Sequence, residues 1–460
     1  MAASKPAKRP PDAARMAAVR ILHDVLERGA FSNIHAIHHL DRQDMDARDR
    51  GFASALIYGT LSRIVTVDWL LAKVSHRDLS RLDPWTRTIL RMGVWQLYWS
   101  DSIPARAAVD ESVRLATNLV NPGAGSFVNA ALRRLSREKP ALPEKNIPIL
   151  TSLSPEIFGC LRQWYGAAEA ELMARSFLRD QTQVTGRVNV LRATPEQVHT
   201  ELTAAGYAPT KGRYCSEAIA LSLGGTSVRG LTAWQRGRLT IQDEAAMLVG
   251  YAAAPEPGQT IIDLCAAPGG KTCHLAEITG DKAAILAVDK HPERLKLVSE
   301  NAGRLGVTKI TCLLGDATGL GMPGDLAECA DLVLADVPCS GLGLLAKKPE
   351  IRLTMSHEKM VGLYPLQEAI LNYAATILKT GGTLIYSTCT VNPAENIDRV
   401  QKFLAEHQAR FVLEPLDDRL PKNLLQHPDL KLTAAKGYIQ LLPHRHDLDG
   451  FFIARIRRVG

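Results

Sequence analysis

TIIDLCAAPGGKTCHL (260–275) runs from an apolar strand through a glycine turn into a helix, and the same alternation repeats downstream. The strands AAILAVD, ITCLLGD, ADLVLADVP and GGTLIYSTC follow, with helical stretches at about 271–279, 292–305 and 357–378 between them. Regular strand–helix alternation predicts a parallel, doubly wound α/β sheet with helices on both faces, here assigned to 241–460. ENIDRVQKFLAEH (395–407) continues as a helix, and GYIQLLPHRHDLDGFFIARIRR reads as two strands around a turn, an antiparallel edge on that sheet.

The rest of the 460 residues has a different texture. ARMAAVRILHDVLERG (14–29) spaces Met16, Val19, Leu22, Val25 and Leu26 as one helical face and stops at Gly29. Similar stretches at 47–63, 67–75, 84–99, 105–121 and 126–137, joined by short loops, predict an all-α bundle over 14–139. Residues 1–13 read as a disordered arm. EKPALPEKNIPILTSLSP (138–155) carries four prolines and reads as a linker. Beyond it, a helix at 155–179, strands at 184–191, 217–222 and 238–242, and a helix at 195–206 make a small α/β connector, so that 140–240 is linker plus connector.

Composition excludes several classes. Hydrophobic residues at 46% and charged residues at 22% are those of a globular chain. No apolar run approaches the roughly 18 residues of a membrane span, and no apolar stretch follows the basic N-terminus as a secretory signal requires. Eight cysteines without a CxxC pair or Cys/His spacing imply a reducing, cytoplasmic compartment and no metal centre. The net charge of +7 is unevenly spread: 22 basic against 15 acidic residues in 1–150, 10 against 7 in 151–240, and 23 against 26 in 241–460. Such asymmetry suits a polyanion held by the first part and chemistry done by the last. Arg63, Arg91, Arg106, Arg114, Arg133 and Arg134 recur on the helices as candidates for that grip.

Ligands of open parallel sheets sit beyond the carboxyl ends of the strands, where strand order reverses. Gly269 and Gly270 allow close backbone approach there. Cys265 stands where a Walker A loop needs glycine, and the GxGxxG fingerprint is absent, which argues against ATP hydrolysis and nicotinamide binding. Asp289, 26 residues after Asp263, ends the second strand and suits ribose hydroxyls; Asp316 ends the third and suits an exocyclic adenine amine. A nucleoside site without a pyrophosphate grip favours S-adenosylmethionine. Strands four and five end in Cys339 and Cys389. A thiolate beside a sulfonium methyl donor suggests addition at carbon 6 of a pyrimidine, which makes carbon 5 nucleophilic. Asp336 is placed to manage a proton at ring nitrogen 3. Spacing leaves open which cysteine attacks. Cys160, Cys215, Cys312 and Cys329 are assigned to the core, and Cys265 and Cys273 to packing beside the loop.

DLCAAPGGKT, DVPCSGLG and STCTVNPAEN resemble the RNA 5-methylcytosine methyltransferases, and the helical first part resembles the NusB-like RNA-binding domain. Together they resemble the RsmB (Sun, Fmu) branch, with DGFFIARIRR similar to its C-terminus. The resemblance implies a class I methyltransferase domain and a cytosine of 16S ribosomal RNA as target. It implies Cys389 as nucleophile and Cys339 as the residue assisting adduct breakdown and release. It also implies a cofactor site of Cys265, Ala266, Ala267, Pro268, Gly269, Gly270, Lys271, Asp289, Asp316 and Asp336, with Lys271 and Asp336 reaching the base. Val337, Lys347, Lys348 and Glu350 depart from the pattern, the lysines keeping phosphate attraction without bidentate geometry. HRHDLDG (444–450) is read as a polar turn rather than a metal cluster. A target base must leave its stack to meet a thiol, and affinity for RNA should fall with salt. Aromatics at 5% favour backbone contacts over stacking platforms. Two other readings compete, a non-catalytic RNA-binding factor and a nicotinamide oxidoreductase. The intact Cys339, Cys389 and Lys271 oppose the first, and the missing fingerprint opposes the second.

Overall fold

Asp12, Asp46, Asp83 and Asn121 each accept a backbone N–H of the helix that follows, so the N-terminal helices start where the sequence supplies a cap. The computed structural model describes residues 10–29, 45–75, 77–179 and 183–460; most of the 1–13 arm expected from sequence lies outside them. The chain divides into two units. Met1–Cys160 with Gly224–Ser227 and Leu345–Thr354 form one, and Leu161–Leu223, Val228–Leu344 and Met355–Gly460 the other.

The first unit packs helices Ala13–Arg28, Ala47–Ser62, Ile64–Val74, Pro84–Trp99, Ala105–Leu119 and Pro122–Glu138 around Leu22, Leu56, Leu61, Leu70, Leu90 and Leu132. The first ends on Gly29 at φ 70°, the left-handed stop that glycine permits. The proline-rich linker is not structureless. It holds a short helix, Ile147–Thr151, and the Ser152 hydroxyl accepts the Val65 N–H at 3.0 Å, capping helix Ile64–Val74, which has no side-chain cap of its own. Two segments from later in the chain join this unit. Gly225 lies so close to helix Ala47–Ser62 that a Cβ would stand 2.0 Å from the Ala47 carbonyl. In 345–354, Glu350 is buried; burial, with the Glu350 charge adding to it, pushes the Tyr58 hydroxyl up to about 12. Among the described residues no single helix is long and apolar enough to cross a membrane. The bent pair Ala47–Ser62 and Ile64–Val74 passes by composition, but Leu56, Ile57, Leu61, Val67 and Leu70 are buried in the bundle core.

The second unit holds two sheets. Strands β1 (Val184–Val188), β2 (Thr210–Lys211), β3 (Ala218–Leu221) and β4 (Leu239–Ile241) form an antiparallel sheet in the order β2-β3-β1-β4. The helix expected over 155–179 is broken at Gly166, φ 81°, into Pro155–Tyr165 and Ala167–Ser176. The larger sheet comprises β5 (Thr260–Asp263), β6 (Ala284–Asp289), β7 (Ile310–Leu314), β8 (Ala330–Asp336), β9 (Leu378–Thr388), β10 (Phe411–Leu413), β11 (Tyr438–Leu441) and β12 (Phe451–Arg458). Its order is β10-β12-β9-β8-β5-β6-β7, with β11 paired to β12. Strands β5 to β9 are parallel. Their side chains alternate between two cores. Ile261, Leu334 and Ile385 meet helices Glu244–Ala253 and Gly270–Ile278, while Ile262, Val333 and Tyr386 meet His357–Ile377 and Ile397–Glu406. The sheet is therefore doubly wound. One expectation is corrected: β12 is no edge but lies between β9 and β10. Its arginines reach backbone acceptors, Arg455 donating to Ala252 and Ala253 and Arg458 to Leu378, so charged residues sit in an interior strand.

Arg187 of β1 fastens the smaller sheet to helix Gly270–Ile278. It donates to the Gly270 carbonyl at 2.8 Å and pairs with Glu277 at 2.7 Å, both side chains 0–1% exposed. Removing one member of such a pair strands the other charge in the interior. Arg187→Met should lower the unfolding free energy in urea by about 3–5 kcal/mol, and adding Glu277→Leu should recover most of it. A loss below about 1 kcal/mol would contradict the assignment.

Candidate active site

Strand order runs outward from β5 to β7 on one side and from β8 to β9 on the other, so the carboxyl ends of β5 and β8 flank the switch point. After β5 the chain turns through 264–269 into helix Gly270–Ile278. Gly269 is held at φ 99°, and a Cβ there would meet the Val298 backbone at 3.1 Å, so both conformation and space demand glycine. Lys271, in the first turn, spans the switch point and binds the Asp336 carboxylate at the end of β8 at 2.7 Å. Ser387 of β9 donates to the other Asp336 oxygen at 2.7 Å. Burial opposes the Lys271 charge, but Asp336, with Cys389 contributing, lifts the ammonium above its ordinary range. The Phe451 ring lies 5.2 Å from the same ammonium.

The loops after β8 and β9 place Cys339 and Cys389 with their Sγ atoms 3.4 Å apart, both half-buried. The hydrogen bond to Cys389, together with burial, pushes the Cys339 thiol well above its usual range. Asp289, ending β6, is buried and accepts the His291 N–H at 3.0 Å; its own carbonyl accepts from Gly315, which precedes Asp316. Asp316 accepts from the Thr318 N–H at 2.9 Å, and the backbone hydrogen bond from Thr318 holds it below the usual carboxylate range. The crevice thus gathers a glycine turn, two strand-end carboxylates suited to hydroxyl and amine donors, and a paired thiol. That donor set fits the nucleoside and the sulfonium centre of S-adenosylmethionine. Cys265 lies beside Asp263, and burial drives its thiol far up, a packing rather than a nucleophilic environment.

Other expectations fare differently. Cys160 and Cys215 are buried, but Cys312 is exposed on strand β7 rather than in the core, and Cys329 is half-buried. Much of the arginine face is spent on local pairs: Arg91 with Asp68, Arg114 with Glu111 and Arg134 with Glu138. Arg106 is 93% exposed, while Arg63 lies over the Trp99 ring. In HRHDLDG, His444 binds Glu169 and His446 binds Asp429, and His427 approaches closely enough that the three groups His427, Asp429 and His446 lie within 4.8 Å. The His446 Nδ1 accepts the Leu442 N–H at 2.8 Å, so its Nε2 carries the proton toward Asp429 and offers no lone pair to an ion. Burial also pushes His446 down to about 4.

Ser387, Phe451, Thr272 and Glu395 line or brace the site without having been singled out from sequence. Ser387 stands two residues before Cys389, the spacing of one strand face, which is a usable signal. The others touch their partners only in the fold.

Fold and crevice define the class, an S-adenosylmethionine-dependent methyltransferase. Residues 250–457 match the family model described as 16S rRNA methyltransferase RsmB/F, and residues 12–137 match the NusB family. A probable ribosomal RNA small subunit methyltransferase B of Synechocystis sp. is 34% identical over 451 residues, covering 97% of this chain and 99% of that one. Its counterpart in Bacillus subtilis is 33% identical over 437 residues, covering 94% and 95%. A crystal structure of a protein designated PH0851 superposes with a TM-score of 0.84 at 26% identity, covering 99% of this chain and 100% of that one. The chain belongs to the RsmB family of small-subunit ribosomal RNA methyltransferases, with an N-terminal NusB domain.

Asp263, buried at the end of β5, accepts the Thr272 hydroxyl at 2.7 Å, yet burial pushes it up to about 7. An unfolded aspartate ionises near pH 4. Between about pH 4 and 7 the unfolded chain has lost this proton while the native chain keeps it, so native stability falls as pH rises through that window. Asp263→Asn keeps the acceptor for Thr272 and removes the titration. Its melting temperature relative to wild type should climb from about pH 4 to 7 and then level. A pH-independent difference would contradict this.

Proposed function

We infer that the enzyme methylates carbon 5 of a cytosine in 16S ribosomal RNA through a covalent bond between Cys389 and carbon 6. The observation that carries the reading is the 3.4 Å pair of thiols beside the Lys271–Asp336 ion pair at the ends of adjacent strands. Residues Cys265 to Lys271, with Asp289, Asp316 and Asp336, hold the cofactor. Bound there, S-adenosylmethionine supplies the methyl group that carbon 5 takes.

The Cys389 thiolate adds to carbon 6, and the displaced electron pair makes carbon 5 nucleophilic while Asp336, held by Lys271 and Ser387, keeps a proton at ring nitrogen 3. After methylation the carbon 5 proton leaves, its electron pair restores the ring double bond, and the Cys389 sulfur is expelled. The Cys339 S–H, within hydrogen-bond reach of that sulfur, steadies the departing thiolate and so assists breakdown of the adduct. The more basic first 240 residues, the helical bundle of 14–139 and the 140–240 connector, supply the phosphate grip for 241–460, and the ribosomal substrate puts the work in the cytoplasm.

Tritium transfer from labelled S-adenosylmethionine to unmodified small-subunit RNA tests the reaction, and bisulfite mapping locates the base. Cys389→Ser should abolish transfer with cofactor affinity changed less than about twofold, as expected for an interaction made only with the reacting base. Cys339→Ala should accumulate a protein–RNA adduct, seen as a slow band on a denaturing gel. An adduct trapped by Cys389→Ser instead would reverse the two roles, and absence of incorporation at low and moderate salt would sink the reading.

A further inference from the structure

STCTVNPAEN carries, six residues beyond Cys389, a glutamate that the reaction as described does not use. Glu395 is 0% exposed. An unpartnered carboxylate in such a place would cost several kcal/mol, so its partners matter. Its Oε2 accepts the Ser340 N–H at 2.8 Å and a Gln367 side-chain N–H at 3.0 Å. Its Oε1 accepts the Ser340 hydroxyl at 2.5 Å and an Asn392 side-chain N–H at 3.0 Å. The amide groups can only donate here, which suits the acceptor-only, ionised carboxylate.

These donors come from three separate elements. Ser340 follows Cys339 directly; Asn392 lies three residues beyond Cys389; Gln367 belongs to helix His357–Ile377 and also donates to the Pro338 carbonyl at 3.0 Å. Ser340 and Thr390, the residues next to the two cysteines, share a hydroxyl contact of 2.7 Å. One carboxylate therefore closes the knot that sets the distance between the two sulfurs. The charge is also placed unequally. Glu395 is among the groups that raise the Cys339 thiol, after the Cys389 hydrogen bond, burial and the Cys389 charge, whereas the Lys271 ammonium interacts with Cys389.

We propose that Glu395 is a positioning residue for the methyl transfer: its carboxylate locks the Cys339 and Cys389 loops together and decides which of the two sulfurs is the thiolate. The proposal rests on the two-cysteine reading above. Among the charged and titratable groups around the pair, Glu395 and Tyr386 interact with Cys339 and Lys271 with Cys389; Asp336 is bound to Lys271, and Arg399 interacts with Tyr386.

The test uses the full-length protein in two arms. In the first, Glu395→Gln keeps the shape and removes the charge. Single-turnover methylation should fall roughly 100-fold, the scale of a small misplacement of reacting groups, with S-adenosylmethionine affinity by calorimetry near wild type; the melting temperature should fall, because the new amide N–H group faces donors that the carboxylate satisfied. In the second arm, which needs no RNA, iodoacetamide labelling of Cys339 is followed against pH by peptide mass spectrometry in a Cys389→Ser background. Adding Glu395→Gln should move the labelling profile to lower pH, because a carboxylate that disfavours the Cys339 thiolate is gone. A wild-type rate, or an unmoved profile with cofactor affinity lost in step with the rate, would overturn the proposal. If Glu395→Gln does not fold, Ser340→Ala and Gln367→Met each remove donors and leave the charge. Each should slow turnover about tenfold with intact cofactor binding, and wild-type rates in both would overturn it. Failure of the wild type to methylate or to form an adduct would instead sink the parent reading, with the labelling arm still reporting on Glu395.

Discussion

The Lys271–Asp336 pair is the bond on which the site depends. The crevice exists because the chain leaves the carboxyl ends of β5 and β8 in opposite directions along the sheet. Lys271 closes it from one side and Asp336 from the other, at 2.7 Å. An ammonium so placed would be expelled by burial alone; the carboxylate opposite, braced by Ser387, is what keeps it. The same contact sets the floor on which both cysteine loops rest, since Cys339 follows Asp336 by three residues and Cys389 follows Ser387 by two. Glycine turn, strand-end carboxylate and sulfur pair are thus one constellation rather than three neighbouring features.

What sequence discloses of this follows from what it encodes locally. Apolar runs, Gly29 after a helical face and the glycine turn before Lys271 are short-range signals, and the elements they announce are present, some with shifted bounds: the helix read at 126–137 runs Pro122–Glu138 and the strand read at 184–191 ends at Val188. The cysteine loops are legible because motif and strand end coincide. What stays hidden is pairing between distant residues. Glu395 in isolation is an ordinary surface-type residue; only the fold brings Ser340 and Gln367 to it. Arg187 and Glu277 are 90 positions apart, and nothing in either neighbourhood announces a buried pair. Strand β12 reads as part of an antiparallel edge, and it is interior, with Arg455 and Arg458 finding carbonyls and carboxylates. Pattern reports that a strand exists; neighbours are decided by long-range hydrogen bonds.

The small antiparallel sheet gains a meaning from the same kind of pairing. Its Arg187 holds both the first residue of helix Gly270–Ile278, through the Gly270 carbonyl, and Glu277 near the other end. That helix begins at the cofactor turn and carries Lys271. Through these two contacts the small sheet braces both ends of the helix that carries the residue spanning the switch point.

Two thiols 3.4 Å apart pose a problem that chemistry at a single cysteine does not. They cannot both ionise cheaply, so the pair loses its first proton as a unit and keeps the second. With identical sulfurs, only the surroundings decide which one keeps it. A carboxylate bound to the residue after Cys339 disfavours charge there, and an ammonium interacting with Cys389 favours it there. On the reading proposed above, that asymmetry divides one chemical group into two functions: an attacking thiolate, and a thiol that donates its hydrogen bond to that sulfur as it departs from carbon 6. The division requires the loops to be held closely enough that the proton is shared but never exchanged for charge on the wrong atom. A rigid, fully hydrogen-bonded carboxylate beneath both loops meets that requirement more economically than a second cation would, because it fixes distance and polarity with the same four bonds.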